Sequence, residues 1–462
     1  MNPDPASWTL RSPGDLSVEL PEVFTSPIDT AVESAYRASR AWARTPLADR
    51  IAHLRSIQEA LKAGSESIAH LISLETGKPL REARLEMGAV VAKIDFSIND
   101  AREHLVEETI LEGPHPAAIR RSARGPAAVI GPFNFPIHLA HGAMVAHLLT
   151  GNPVLFKPSP LAANAAAKYA AIIAPLLPEG VFQLVQGGAA TGETLALHPA
   201  VRAVCFTGSL KAGRQLAIAT AYDVEKDLAL ELGGCNVSII CADADLENAA
   251  AACADAIALT CGQRCNATSR LFIATEVFGP FVELLGKALS PFQPGDPLNE
   301  NSRLGPLINS QAVERYRQRL ELCAANTLIE GGIRETVSGK KGHYVLPALV
   351  HDDQGILPNE ELFVPIASAR KFDDFDEVIA WHNASHGGLT ASVFTRSRDV
   401  FEHFAAELFA GNIYANLPTT FSPSTLPFGG WGTSGNRHPG GRRFIRWTTD
   451  EQAIQTATAS LQ

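Results

Sequence analysis

From Ile28 to Leu71 apolar residues recur with a helical period, with Thr30 placed to cap a first helix and Gly64 placed to break the run into two. Glu75-Thr76-Gly77-Lys78-Pro79 closes this part, and a further helix is expected over 80–104. Then the period changes. From residue 126 onward short β-rich runs alternate with helical stretches, and Ala128 to Gly131, Val154 to Lys157, Phe182 to Val185, Ala203 to Phe206 and Leu228 to Leu232 read as strands. Such alternation predicts an α/β fold with a parallel sheet covered on both faces and ligands at the C-terminal ends of its strands. Asn134, Lys157, Gly208 and Glu231 all stand at such ends. A second alternating block opens at Asn236 to Ile240 and runs through a long Ala-rich helix ending near Gly262. It continues with a strand from Arg270 to Ala274 and a helix near Val277 to Leu289. Residues 1 to about 27 form a Pro-rich, weakly patterned lead-in expected to hug the surface. The segment 117–124 has strand character, and the tail from Thr448 is polar.

Composition narrows the class. A chain of 462 residues exceeds one ordinary core, so two or three domains are expected. With 46% hydrophobic and 19% charged residues, no apolar run of membrane-spanning length and no secretory pattern at the start, a cytoplasmic enzyme is expected, with no membrane partner. A formal charge of −10 without a basic block argues against nucleic acid. Seven scattered cysteines read as reduced thiols, not as a disulfide framework.

One cysteine stands apart for chemistry. Cys265 lies in Thr260-Cys261-Gly262-Gln263-Arg264-Cys265-Asn266-Ala267, after a helix end and a glycine, a setting that can expose a side chain. Glu231 lies upstream in Glu231-Leu232-Gly233-Gly234. A thiolate is a strong nucleophile, a thioester is a good acyl carrier, and a carboxylate nearby can activate the water that hydrolyses it. The bland reading of Cys265 is a small buried hydrophobe, and that of Glu231 a capping or salt-bridged carboxylate. Gly208-Ser209-Leu210-Lys211-Ala212-Gly213 follows a strand and opens a helix: its glycines admit close backbone approach, Ser209 can cap, and the helix N-terminus suits a pyrophosphate. Zinc at Cys261 is not expected, since no third or fourth ligand lies nearby.

These segments, with Gly131-Pro132-Phe133-Asn134-Phe135-Pro136, Phe206-Thr207-Gly208-Ser209 and Glu360-Glu361-Leu362-Phe363-Val364-Pro365, resemble the aldehyde dehydrogenase superfamily in that family's order, from about Thr30 to the C-terminus. Gly262-Gln263-Arg264-Cys265 and Pro427-Phe428-Gly429-Gly430 followed by Gly432-Thr433-Ser434-Gly435-Asn436-Arg437 are most similar to the bacterial succinylglutamate semialdehyde dehydrogenases of arginine catabolism. The resemblance implies two parallel-sheet domains and a small oligomerisation sheet. The NAD(P)-binding domain would cover 1–112 and 126–233, the catalytic domain 234–430, and the oligomerisation segments 113–125 and 431–462, giving a homodimer or homotetramer. It implies Cys265 as nucleophile, Glu231 as general base for hydrolysis, and Asn134 with the Cys265 backbone N–H as oxyanion donors. NAD or NADP would be held by Lys157 at the adenosine ribose, and by Gly188 and Gly192 beneath the adenosine. Phe206, Thr207, Gly208, Ser209, Gly213 and Leu232 would form and flank the cofactor loop, with Glu361 and Phe363 at the nicotinamide end. No resident metal is implied.

Departures from the family pattern matter too. After Lys157-Pro158-Ser159 many NAD-using relatives carry a Glu that bonds the ribose hydroxyls; here Pro160 removes that acceptor and a charge that would repel a 2′-phosphate, so NADP is expected to be accepted alongside NAD. Cys235 follows Glu-Leu-Gly-Gly without an interpretable role. A carboxylated semialdehyde would need cationic partners, for which Arg264 and the Arg437-His438 pair are candidates, although surface charge explains them equally well. His138 is expected to pack. A broad-specificity aldehyde dehydrogenase, a cysteine hydrolase without redox chemistry and a non-catalytic relative remain alternatives.

Overall fold

The structure is a computed structural model that describes residues 3–110, 115–355, 357–358, 360–385 and 387–457. The boundary expected between 112 and 113, and the tail residues 458–462, lie outside the described residues.

Five short strands form a parallel sheet in the spatial order Asp227–Leu232, Ala203–Gly208, Ala127–Ile130, Val154–Lys157 and Phe182–Leu184. Every residue of Ala127–Ile130 and Val154–Lys157 is buried. Burial on both faces is why these strands are apolar runs without alternation. The chain lays down three strands in one direction and then returns to the other side of Ala127–Ile130, so the order reverses between Ala127–Ile130 and Ala203–Gly208. A reversal leaves a crevice at the strands' C-terminal ends. On one face of this sheet, helices Leu47–Thr76, Leu80–His104 and His138–Leu149 build a core that includes Leu61, Ile94, Met144 and Phe156; Val32, Leu195 and Leu216 belong to the other face.

A second sheet has seven strands, in the order Thr327–Ile329, Ala348–His351, Ile366–Phe372, Thr268–Ala274, Asn236–Ile240, Thr390–Phe394 and Asn412–Ala415. All pairings are parallel except that of the edge strand Thr327–Ile329. Helices Leu246–Ala258 and Phe278–Leu289 pack on one face through Cys253, Ile257, Phe281 and Leu285. A third, antiparallel sheet joins Thr449–Gln455, Ala117–Ala123 and Glu108–Ile110, so the two segments that the resemblance assigned to a small sheet pair directly, Thr449 opposite Ala123 and Gln455 opposite Ala117.

Several local expectations are corrected. Gly64 breaks nothing: Leu47–Thr76 is one continuous helix of 30 residues, and a Cβ at Gly64 would lie 2.6 Å from Ile172 Cδ1, so the glycine answers a close helix contact. The break falls instead at Thr45-Pro46, where proline lacks the N–H that a continuing helix needs. Thr30 lies inside the helix Ile28–Arg44, which starts after Pro27 without a side-chain cap. The Ala-rich helix ends at Ala258, and Thr260 and Cys261 then take left-handed φ values of 54° and 55°. The lead-in forms four short strands, Ser7–Trp8, Arg11–Ser12, Asp15–Glu19 and Val23–Phe24, paired two by two.

Candidate active site

A cleft of about 620 Å³ opens at the reversal of strand order, walled by the first sheet's strand ends on one side and by Cys265 and Glu360 to Phe363 on the other. Of the expected residues, Asn134, Lys157, Gly188, Gly192, Phe206, Thr207, Gly208, Ser209, Glu231, Cys265, Glu361 and Phe363 line it. Gly213 and Leu232 do not. They pack against each other behind the turn at Gly208-Ser209, where a Cβ at Gly213 would stand 2.6 Å from Leu232 Cδ2.

Cys265 is the one cysteine that is not fully buried. Its loop is tied down from all sides. Thr260, Cys261 and Gly262 turn left-handed in succession, and a Cβ at Gly262 would lie 2.5 Å from the Val364 carbonyl carbon, so glycine lets the loop lie on the backbone of Val364-Pro365. Asn236 Nδ2 donates to the Cys265 and Ala267 carbonyls at 2.7 and 2.9 Å, while its Oδ1 accepts from the Thr390 backbone N–H and hydroxyl. Gln263 Oε1 accepts from Ile308 N at 2.9 Å, and the Thr419 hydroxyl donates to Asn266 O at 2.7 Å. Buried Glu82 accepts from the Thr260 N–H and hydroxyl and pairs with Arg264 at 2.9 Å. Two non-glycine residues at positive φ are costly to hold, and this many bonds over-determine the turn.

Asn134 is buried, and its Nδ2 donates to Gln263 O at 2.9 Å. A primary amide carries two N–H donors, so this bond fixes the side chain and leaves a second donor. The following backbone is held by Glu86, which accepts from Ile137 N and His138 N, both at 3.1 Å, and forms a fully buried ion pair with Lys78. Lys78 lies 3.7 Å from the Phe135 ring centroid and His138 packs edge-on to the same ring, in line with the packing role expected for His138.

Glu231 is the penultimate residue of the strand Asp227–Leu232, nearly inaccessible to solvent, and neither carboxylate oxygen has an N–H or O–H partner. Burial pushes its pKa up to about 7, tempered by the Cys265 thiol, the weak donor facing it. Glu361 is raised to about 8, by burial first and by the charge of Glu231 second. Its carboxyl lies over Gly233, where a Cβ would be 2.1 Å from Glu361 Cδ. The Cys265 thiol is pushed well up by burial and by both carboxylates, so it rests protonated beside a base of near-neutral pKa.

The other half of the cleft suits a dinucleotide. Ser209 caps the helix Leu210–Thr220 by accepting from Ala212 N at 3.3 Å, which leaves a helix N-terminus facing the cleft. Lys157 is buried, its pKa drawn down to about 8 by burial, and its stem lies 3.3 Å from where a Gly192 Cβ would be. Phe363, at a φ of 53°, meets Phe133 edge-on with centroids 5.8 Å apart.

The cationic candidates fall away from the cleft. Arg264 is committed to Glu82 and to the Thr260 hydroxyl and lies over Phe135, while the half-exposed Arg437 pairs with Asp227 at 3.7 Å. Cys261 is buried in the apolar core of the second sheet, and among the described residues no group of three or more His, Cys, Asp or Glu could hold a metal. No helix there is long and apolar enough to cross a membrane. Cys235 is buried, its thiol raised by burial, and nothing in the structure assigns it a role. Sequence reading missed Asn236, Glu82 and Arg315, the last of which lines the cleft beside Glu361. A polar Asn opening a buried strand rich in Val and Ile was the available signal for Asn236; Arg315 carried none.

Comparison with known proteins matches residues 11–454 to the aldehyde dehydrogenase family. An N-succinylglutamate 5-semialdehyde dehydrogenase of Caulobacter vibrioides is 36% identical over 418 residues, covering 89% of this chain and 88% of that protein. One from Burkholderia multivorans is 34% identical, covering 94% and 90%. Among solved structures, lactaldehyde dehydrogenase from Escherichia coli superposes with a TM-score of 0.90 at 29% identity, over 98% of this chain and 96% of that one. An NAD-dependent aldehyde dehydrogenase from Sinorhizobium meliloti gives 0.91 at 28%, over 97% and 91%. With a matched family model spanning nearly its whole length, the chain belongs to the aldehyde dehydrogenase family, oxidoreductases that act on aldehydes.

Proposed function

We propose that the protein oxidises a carboxylated semialdehyde, such as N-succinylglutamate 5-semialdehyde, to the acid with NAD or NADP, through a thioester on Cys265. The observation that carries this reading is one cleft holding a partly exposed cysteine, a buried carboxylate without a conventional donor, and an anchored amide. The substrate class rests on the relatives named above. The cleft fits a dinucleotide: Gly192, Gly208 and Gly233 keep its walls free of Cβ atoms, Glu361 Oε1 is buried without a partner, and a capped helix N-terminus faces in.

Chemistry starts with the thiol. As Cys265 Sγ adds to the aldehyde carbon its proton passes to Glu231, the facing base, and the new oxyanion accepts from the free Asn134 N–H and the Cys265 backbone N–H. When bound, the nicotinamide supplies the hydride acceptor. Loss of hydride from the former aldehyde carbon leaves an acyl thioester on Cys265. Glu231 gives that proton up to solvent and then takes one from water, whose oxygen adds to the acyl carbon; the same two donors hold the second oxyanion, its collapse breaks the C–S bond, the acid departs, and Cys265 Sγ takes the proton from Glu231. A base that hydrolyses the thioester makes a free acid the product.

Arg264, a candidate for meeting a substrate carboxylate, is committed to Glu82 and does not line the cleft, and this favours broad specificity as the second reading. A screen of N-acylated and ω-carboxylated semialdehydes against simple alkanals, read as absorbance at 340 nm with both coenzymes, separates them. A kcat/KM at least ~100-fold higher for N-succinylglutamate 5-semialdehyde supports the first reading, and equal values the second. Cys265→Ala is expected to abolish the signal for every aldehyde; a signal that persists refutes the proposal.

A further inference from the structure

The lead-in closes around the end of the cleft lined by Lys157, Gly188 and Gly192. Strand Ser7–Trp8 pairs with Val23–Phe24, Trp8 Nε1 donates to Pro160 O at 3.1 Å, and Ser26 N donates to Gln186 O at 2.9 Å. This arm delivers Asp4 to the start of the helix Ala189–Leu197, where its carboxylate accepts from Gly188 N and Thr191 N, both at 2.8 Å, and from Ala190 N at 3.4 Å. Gly188 is small for this contact, since a Cβ there would lie 2.4 Å from Asp4 Oδ1.

Gly188, Gly192 and Lys157 also line the cleft. A helix N-terminus beside a buried lysine is the setting that attracts a phosphate. Here the chain's own carboxylate already occupies the helix end, and its charge acts on Lys157. Glu193 adds a second carboxylate to the same wall.

We infer that Asp4 is a coenzyme-selectivity residue: carried in by the N-terminal arm, it engages the helix N–H groups and opposes a further negative charge, so NAD is preferred to NADP. The arm thereby returns the carboxylate whose place along the sequence is taken by Pro160. This rests on the reading that a dinucleotide lies against Lys157 and Gly192.

The test is binding. Dissociation constants for NADH and NADPH, read by nucleotide fluorescence, are compared for the wild-type protein, Asp4→Asn and a chain lacking residues 1–5. Both variants are expected to shift the ratio toward NADPH by ~10-fold or more, with NADH affinity nearly kept. A ratio within about twofold of wild type in both variants, with wild type binding NADH, overturns this inference alone. Wild-type protein that binds neither nucleotide overturns the cofactor reading, and the inference with it.

Discussion

The roles proposed for Glu231 and Asn134 differ, and each predicts its own signature. Removing one oxyanion donor lowers turnover by about 10²–10³, so Asn134→Ala is expected to lose that much in kcat. Because its amide also holds Gln263 O, melting temperature is measured beside the kinetics, and a loss of kcat below about tenfold contradicts the role. Glu231 has a folded-state pKa raised from 4.5 to about 7. Between those values the unfolded chain gives up this proton and the folded chain keeps it, so its contribution to stability falls as pH rises and the penalty is complete above pH 7. Glu231→Gln removes the penalty. The variant is expected to gain melting temperature at pH 8 but not at pH 4, and wild-type hydrolysis should rise with pH through about 7. A gain of equal size at both pH values, or activity falling with pH across this window, contradicts the assignment.

The loop Thr260 to Ala267 is the element on which the site depends, and its tightest contact is Gly262 on the Val364-Pro365 backbone. A methyl there meets rigid main chain in a left-handed conformation, so Gly262→Ala is expected to cost about 1–3 kcal/mol and to lower kcat with it. Denaturant unfolding checks the first and steady-state kinetics the second; unchanged stability refutes the packing argument. This element was half legible in the sequence. The proposed nucleophile stood out as a cysteine after a helix and a glycine, but its supports did not, because Glu82 meets Arg264 from a distant helix and Asn236 comes from a different strand. Gly64 misled for the same reason: a glycine near the middle of a helical pattern reads as a break, and only Ile172, far along the chain, reveals it as a packing site.

Across the whole molecule the two parallel sheets were readable because strands buried on both faces are plain apolar runs, and helices between them leave few arrangements open. The pairing of Thr449–Gln455 with Ala117–Ala123, and the arm that carries Asp4, bring together residues far apart in the chain, and no local pattern announces them. Among the described residues Thr449–Gln455 pairs on one side only, at the edge of its small sheet. Such an edge can pair with a second chain, and we propose it as the place of the self-association that the sequence resemblance implies. Sedimentation at micromolar concentration is expected to give a dimer or tetramer, reduced to monomer when residues 449–462 are removed; a monomeric full-length protein contradicts this. The central claim, a thioester on Cys265 released by Glu231, meets its most direct test in the mass of the wild-type protein quenched within the first turnover after mixing with N-succinylglutamate 5-semialdehyde and coenzyme. The account predicts an acyl group mapped to the peptide containing Cys265, formed together with the first reduced coenzyme, and neither adduct nor reduced coenzyme in Glu231→Gln over the same time. Turnover with no adduct, an adduct on another residue, or Glu231→Gln reducing coenzyme as fast as wild type would contradict it.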